Sequence, residues 1–282
     1  IVYIENGSLQ SDSICESIKQ ARVFNPNTPI YFISSHLQYK KFSEFFLDQD
    51  VFFVDRETLS KSPLYRSVKK GYYCPTKSCR ISEEEDLLKS SVLKFILLYE
   101  FLKQIPLKNV FYMGQKNMLY VSLEEILDLF FKTDKVFLAQ YNSTCASTNF
   151  MVIKDLQILE KIISDIRYTS YTSLPTLLAK FVNNYRPIYA EELPSAPKEH
   201  LSSVNNRHMD WNRAIDFKNI LFDPGIHGSF LTNRAVNAEC EGKPYCTQKE
   251  YTYFWEEDSE GRKIPTLVFG QKKYKLANLV LE

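Results

Sequence analysis

The alternation of short apolar runs with helical segments constrains the fold more than any other feature of the sequence. Residues 2–4, 30–33 and 51–54 are apolar runs of strand length, and segments 12–24 and 39–47 between them carry apolar residues at helical spacing. Neighbouring parallel strands need a long crossover connection, which is usually a helix. This order therefore predicts a mixed α/β fold with a central, mostly parallel sheet flanked by helices.

The rest of the chain continues this pattern and then changes. Ser82 and Glu85 form a capping box that predicts the start of a long helix. Further strands are predicted at 109–113, 136–139, 150–153 and 220–222, and further helices at 123–131, 154–168 and 174–182. Residues 183–212 are polar and contain three prolines, which favours a long surface excursion. Strand-like runs at 250–255, 265–269 and 276–281 predict a small antiparallel part at the end.

Charge and hydropathy exclude several classes of partner. The formal net charge is +1 and there is no basic stripe, so nucleic acid is not an expected partner. A helix that crosses a bilayer needs about 20 apolar residues. The longest apolar stretch, residues 92–102, is interrupted by Lys94 and Glu100, so no membrane span is expected within this chain.

The cysteines leave the compartment open. Cys74 and Cys79 lie close together, as do Cys240 and Cys246, whereas Cys15 and Cys145 have no cysteine near them in sequence. These gaps do not match the usual spacing of zinc ligands. Two local disulfides or buried free thiols remain equal alternatives, and both the secretory lumen and the cytoplasm remain open.

Four strand-end loops are the candidate sites, because ligands of open α/β sheets bind beyond the carboxyl ends of the strands. Asn6 and Gly7 follow the first predicted strand, and Ser34 follows the second. Lys116 and Asn117 follow the strand at 109–113. The loop after residues 220–222 supplies Asp223, His227 and Gly228.

Several segments in order resemble GT-A-type glycosyltransferases that use nucleotide-diphospho sugars. Residues 18–22 with Asn25-Pro26 resemble the opening of many such enzymes, and residues 97–101 followed by 109–113 resemble a viral and microbial group of them. The segments 220–223, 253–255 and 263–265 continue the likeness, which spans most of the chain. The resemblance implies a GT-A-like fold, with residues 1–155 as the nucleotide-sugar half and 156–282 as the acceptor-side half of one domain.

The chain departs from this family at the metal site. In the family, the strand corresponding to 109–113 ends in an acidic motif whose carboxylates hold a divalent cation against the donor diphosphate. Here the residues are Gly114-Gln115-Lys116. Magnesium and manganese prefer hard oxygen ligands, and a lysine cannot serve as one. We therefore predict no metal or other cofactor, the ancestral manganese or magnesium site having been lost.

Two hypotheses about function follow. In the first, the protein is a metal-independent transferase: Lys116 replaces the cation, and Asn6, Gly7, Ser34 and Asn117 bind the donor. The predicted catalytic residues are then Asp223, as general base or hydroxyl ligand, and His227, with Gly228, Trp211 and Trp255 on the acceptor side. Its ligands are a nucleotide sugar and a glycan or protein acceptor. In the second, the chain is an inactive homologue that acts as a binding or assembly module, with a protein partner or as an oligomer.

Overall fold

A computed structural model describes residues 1–5, 12–71, 83–130, 133–168, 173–186, 188–197, 199–200, 217, 219–232, 244 and 251–280. The predicted site residues Asn6, Gly7 and Trp211 lie outside these ranges. The strands are β1 (Val2–Ile4), β2 (Ile30–Ser34), β3 (Val51–Asp55), β4 (Val110–Met113), β5 (Asn117–Leu119), β6 (Val136–Asn142), β7 (Cys145–Ile153), β8 (Ala190–Leu193), β9 (Ile220–Leu221), β10 (Thr252–Glu257), β11 (Lys263–Phe269), β12 (Lys272–Leu276) and β13 (Asn278–Val280). The helices are α1 (Ser13–Phe24), α2 (His36–Lys41), α3 (Ser43–Asp48), α4 (Arg56–Leu59), α5 (Pro63–Gly71), α6 (Glu83–Gln104), α7 (Leu123–Phe130), α8 (Leu156–Tyr168), α9 (Leu174–Tyr185) and α10 (His227–Thr232).

The central sheet has seven strands in the order β3-β2-β1-β4-β7-β6-β8. Strand β7 runs antiparallel to β4 and β6, and all other neighbouring pairs are parallel. The predicted mixed α/β fold with a mostly parallel central sheet is confirmed. Because β1, β2 and β4 share one direction, their carboxyl ends meet at one edge of the sheet.

Each face of the sheet carries a layer of helices. Val2 and Ile4 pack into a core that includes residues of α6, α8 and α9. Tyr3 points to the opposite face, into a core that includes residues of α1 and α7. Alternate burial of this kind explains why the inner strands are apolar throughout, since both faces of a covered sheet are buried.

Two small sheets complete the fold and confirm the small antiparallel part that was predicted at the end of the chain. One has the order β10-β11-β12-β9, and the other pairs β13 with β5. The single strand predicted at 276–281 is wrong: β12 and β13 are separate strands on different sheets. The break falls at Ala277, whose N–H donates to Leu221 and whose carbonyl accepts from Tyr120.

Two further predictions need correction. The excursion predicted for residues 183–212 contains β8, which joins the central sheet with Ala190 and Leu193 buried. Four residues are too few to show a clear period in the sequence. The helix predicted at 39–47 is instead α2 and α3, which meet at Phe42. Within the described ranges, no helix combines the length and apolarity needed to cross a membrane.

Candidate functional site

A cleft of about 330 Å³ opens at the carboxyl edge of the central sheet. It lies where β1 and β4 end, between the turn after β4, the first half of β7 and the helix α6. Polar groups dominate its lining; those used below are Ser90, Lys94, Gln115, Lys116, Ser147 and Asn149. This is the position at which open α/β sheets bind ligands.

A tight turn after β4 shapes the floor of the cleft. The N–H of Gly114 donates to the carbonyl of Asn149 at 2.7 Å, and the N–H of Asn117 donates to the carbonyl of Gly114 at 3.1 Å. A Cβ on Gly114 would lie 2.5 Å from Oδ1 of Asn149, so a side chain has no room there. The turn leaves Lys116 exposed, with its side chain on the cleft.

The turn does not fit a divalent cation. The side-chain amide of Gln115 donates to the carboxylate of Glu5, and the backbone carbonyl of Gln115 accepts from the hydroxyl of Ser17. No Asp or Glu is among the described residues that line the cleft. The described ranges also contain no cluster of three or more His, Cys, Asp or Glu that could hold a metal. The turn therefore offers the ammonium group of Lys116 to the cleft and no carboxylate.

Two ammonium groups line the cleft together. Lys116 comes from the turn after β4, and Lys94 comes from α6. Neither makes an ion pair with any residue that the structure describes. Sequence analysis missed Lys94, although it is one of the two charges that interrupt the apolar stretch at 92–102. Helical spacing alone gave that stretch a core role and did not show which side of α6 reaches the sheet edge.

Asp223 lies behind the wall of the cleft and is fully buried. Its Oδ1 accepts the N–H groups of Gly225, Ile226 and His227 at 2.6 to 2.9 Å. Its Oδ2 accepts those of Gly228 and Val280, both at 2.9 Å. Five donors saturate the carboxylate, so its oxygens hold the backbone of this loop and face no ligand. This geometry favours a positioning role for Asp223 over the predicted role as a general base.

His227 is also enclosed. Its Nε2 lies 2.7 Å from the carbonyl of Ser195, to which it donates, and its Nδ1 lies 2.9 Å from the hydroxyl of Tyr253. Burial lowers the pKa of His227 below its ordinary value, against the opposing effects of Asp223 and the Ser195 carbonyl. The imidazole is therefore neutral at pH 7, and both nitrogens have partners within the fold.

Asn117 belongs to the same buried network. Its Nδ2 donates to the carbonyl of Asn149 at 2.7 Å, and its Oδ1 accepts from Nδ2 of Asn278 at 2.9 Å. Asn278 also accepts the N–H of Asp223 at 3.1 Å. The network ties β5, β7 and β13 together beneath the cleft. Asn117 thus contacts protein groups and not the cleft itself.

The remaining predicted residues are dispersed. Ser34 ends β2, and its buried hydroxyl has no hydrogen-bond partner within the described ranges. Gly228 packs against β13, where a Cβ would lie 2.1 Å from the carbonyl oxygen of Val280. Trp255 lines a different pocket, none of whose residues lines the cleft. Pro224 and Gly225 do line the cleft, so the loop that Asp223 anchors forms part of its wall.

The structure describes two of the six cysteines. Cys145, at the start of β7, is disulfide-bonded, and Cys15 on α1 is a buried free thiol. Sequence spacing gave Cys145 no local partner. The other four, Cys74, Cys79, Cys240 and Cys246, lie outside the described ranges.

Glu192 on β8 is a buried carboxyl whose oxygens have no hydrogen-bond partner among the residues that the structure describes. Its nearest cation is Arg186, with Nη1 3.8 Å from Oε2. Burial raises the pKa of Glu192 to about 8, with the Arg186 charge opposing the shift and Glu191 adding to it. Sequence analysis did not single out this residue, because its burial depends on the packing of β8.

We predict that Glu192 makes stability fall with rising pH. The folded state holds the proton up to about pH 8, whereas the unfolded chain releases it near pH 4.5. Between these values its contribution to the free energy of unfolding falls by about 1.4 kcal/mol per pH unit, and above them it levels off. Urea unfolding at pH 5 to 9 should show that the free energy of unfolding falls less steeply with pH for Glu192→Gln than for wild type. Glu124→Gln, on an exposed site, is the control; equal slopes for all three proteins would contradict the prediction.

Sequence comparisons and structure comparisons give different results for this chain. No protein-family model and no curated protein sequence matches it. Among solved structures, a PaToxG glycosyltransferase is 15% identical over 66% of this chain and 68% of its own, with a TM-score of 0.44. Mouse xyloside xylosyltransferase 1 is 10% identical over 68% of this chain and 84% of its own, also with a TM-score of 0.44. The galactosyltransferase LgtC, in complex with donor and acceptor sugar analogs, is 14% identical over 74% of this chain and 79% of its own, with a TM-score of 0.42. Similarity at this level assigns no substrate or activity to the chain.

Proposed function

We propose that the protein is a glycosyltransferase-like protein whose cleft binds the diphosphate of a nucleotide-diphospho sugar without a divalent cation. The observation that carries the proposal is the pair of lysines, Lys94 and Lys116, on a cleft with no described carboxylate. A diphosphate brings concentrated negative charge, and two unpaired ammonium groups can offset it where a metal ion otherwise would.

The position of the cleft supports a nucleotide ligand. It lies at the carboxyl edge of a mostly parallel sheet, and the hydroxyls of Ser90 and Ser147 and the amide of Asn149 supply further hydrogen-bonding groups. The resemblance of the sequence to GT-A enzymes supports a sugar nucleotide over other nucleotides. A glycan or protein acceptor is proposed as the second substrate.

The second candidate is an inactive homologue that binds the sugar nucleotide and does not transfer the sugar. It is favoured by the absence of Asp, Glu and His from the described residues that line the cleft. The described lining offers groups that bind a donor and no general base. Asp223 and His227, which the sequence predicted as catalytic, are fully committed to protein partners.

Ligand-induced stabilisation tests donor binding. We expect UDP-glucose, GDP-mannose or another nucleotide-diphospho sugar to raise the midpoint of thermal unfolding, equally with manganese and with EDTA. A ligand at about 100 times its Kd stabilises by about 2.7 kcal/mol, enough for a shift of several degrees. A shift that needs manganese would contradict the metal-independent site, and no shift with any donor would contradict nucleotide-sugar binding.

Lys116→Ala and Lys94→Ala are expected to weaken donor binding about tenfold each, or about 1.4 kcal/mol. The matched control is Lys108→Ala, because Lys108 is exposed and lies at the opposite end of β4. Isothermal titration calorimetry measures the three affinities. Unchanged affinity in Lys116→Ala would remove this residue from the site.

An activity assay separates an active transferase from the inactive alternative. It measures the free nucleotide that is released from the bound donor in the presence of glycan acceptors.

A further inference from the structure

A second pocket, of about 370 Å³, is built around an exposed tryptophan. Trp255 on β10 is 45% exposed, the only Trp within the described ranges. Its ring lies 5.5 Å from that of Tyr120, centroid to centroid, and Tyr120 in turn lies 6.0 Å from Phe24. The three aromatic rings form a continuous apolar floor, and the indole is its solvent-facing end.

Hydrogen-bonding groups that have no partner among the described residues surround this floor. The side chains of Gln20 and Lys263 line the pocket and make no hydrogen bond or ion pair with the described part of the chain. The Tyr120 hydroxyl likewise donates to no described residue. Together they provide an amide, an ammonium and a phenol around one exposed ring.

Arg262, which also lines the pocket, adds little net charge to it. Arg262 lies over the ring of Phe24, with Cζ 4.6 Å from the centroid. Its guanidinium is paired with Asp258 at 2.7 Å and Glu260 at 3.1 Å. These contacts offset the charge of Arg262, which leaves Lys263 as the one lining cation that is not paired with a described residue.

We propose that this pocket binds a ring of a neutral saccharide, stacked on Trp255 and hydrogen-bonded by Gln20, Lys263 and Tyr120. A pyranose ring has an apolar C–H face and hydroxyls around its edge, which matches an aromatic surface with polar groups at its rim. The site stands on its own residues and does not depend on transfer in the cleft.

The fold also sets the relation between the pocket and the cleft. Lys116 precedes β5 and lies on the cleft, whereas Tyr120 follows β5 and lies in the pocket. Four residues of extended chain span roughly 13 Å, so an oligosaccharide of a few rings bound in the pocket can extend toward the cleft. Tetrasaccharides are therefore suitable probes of this pocket.

Fluorescence tests the proposal directly. The chain has two tryptophans, so the variant Trp211→Phe leaves Trp255 as the only indole. Titration with cellotetraose, xylotetraose, maltotetraose and chitotetraose should give a saturable change in emission for at least one of them. Calorimetry with that probe should show at least tenfold weaker binding for Trp255→Ala and a smaller loss for Gln20→Ala. Leu37→Ala, which truncates another exposed apolar side chain, should bind as wild type does.

The outcomes separate this proposal from that for the cleft. Lys116→Ala should leave tetrasaccharide binding unchanged. No saturable signal with any of the four probes, or binding that survives Trp255→Ala, would overturn the proposal. A change in sedimentation caused by Trp255→Ala, without saccharide binding, would overturn it in favour of a contact between copies of the chain. Circular dichroism of each variant confirms that the fold is intact.

Discussion

Replacing Asp223 with Asn is expected to lower the free energy of unfolding by about 4 kcal/mol. The amide offers one acceptor oxygen in place of two, and its NH₂ group would face two of the N–H donors that the carboxylate now accepts. If the amide oxygen takes the Oδ1 position, the N–H groups of Gly228 and Val280 lose their partner. Each buried donor left unsatisfied costs about 1 to 3 kcal/mol.

Urea unfolding of wild type and Asp223→Asn measures this loss, and the thermal midpoint should fall by about 10 °C. The control is Asp155→Asn, because Asp155 accepts a single backbone N–H, from Gln157 at 2.8 Å, at an exposed helix start. Asn caps helices as well as Asp does, so the control should change little. A variant as stable as wild type would show that the five hydrogen bonds contribute little.

The same variant decides between two roles for Asp223. If Asp223 is a general base, Asp223→Asn should lose activity while its stability is unchanged. If Asp223 anchors the loop, the variant should lose stability first. The burial and the saturated carboxylate predict the second result. Should the variant remain folded in the cold, donor affinity would fall as well, since Pro224 and Gly225 form part of the cleft wall.

Gly228→Ala is expected to destabilise the protein by about 3 kcal/mol. The added Cβ would lie 2.1 Å from the carbonyl oxygen of Val280 and 3.2 Å from Oδ2 of Asp223. Backbone cannot move aside as a flexible side chain can, so α10 or β13 must shift. A shift of either element weakens the Asp223 hydrogen bonds to Gly228 and Val280 together.

A neighbouring position on α10 provides the control. Ser229 is buried, and its hydroxyl has no hydrogen-bond partner in the described part of the chain. Ser229→Ala therefore removes an unsatisfied group and should leave stability unchanged or slightly higher. Chemical unfolding of both variants gives the comparison. Equal stability of Gly228→Ala and wild type would mean that β13 moves away at little cost. If Asp223→Asn and Gly228→Ala act through one contact, the double variant should lose less free energy of unfolding than the two single variants lose in sum.

The sequence by itself determined the α/β order, most strands of the central sheet and the absence of a carboxylate at residues 114–116. These depend on local periods and on residue chemistry, which a single segment displays. It also placed Lys116 after β4, and the rule for strand ends brought that lysine to the cleft.

Only the tertiary structure decided what the other candidates do. Asp223 resembles a site residue in sequence because it follows an apolar strand, yet Val280, which lies 57 residues further along the chain, helps to saturate its carboxylate. Lys94 appeared as an interruption of a core helix, and the packing of α6 on the sheet turned it toward the cleft. Trp255 joined a separate pocket because β10 belongs to a different sheet. Burial and hydrogen-bond partners arise from segments distant in sequence, so no local pattern could assign them.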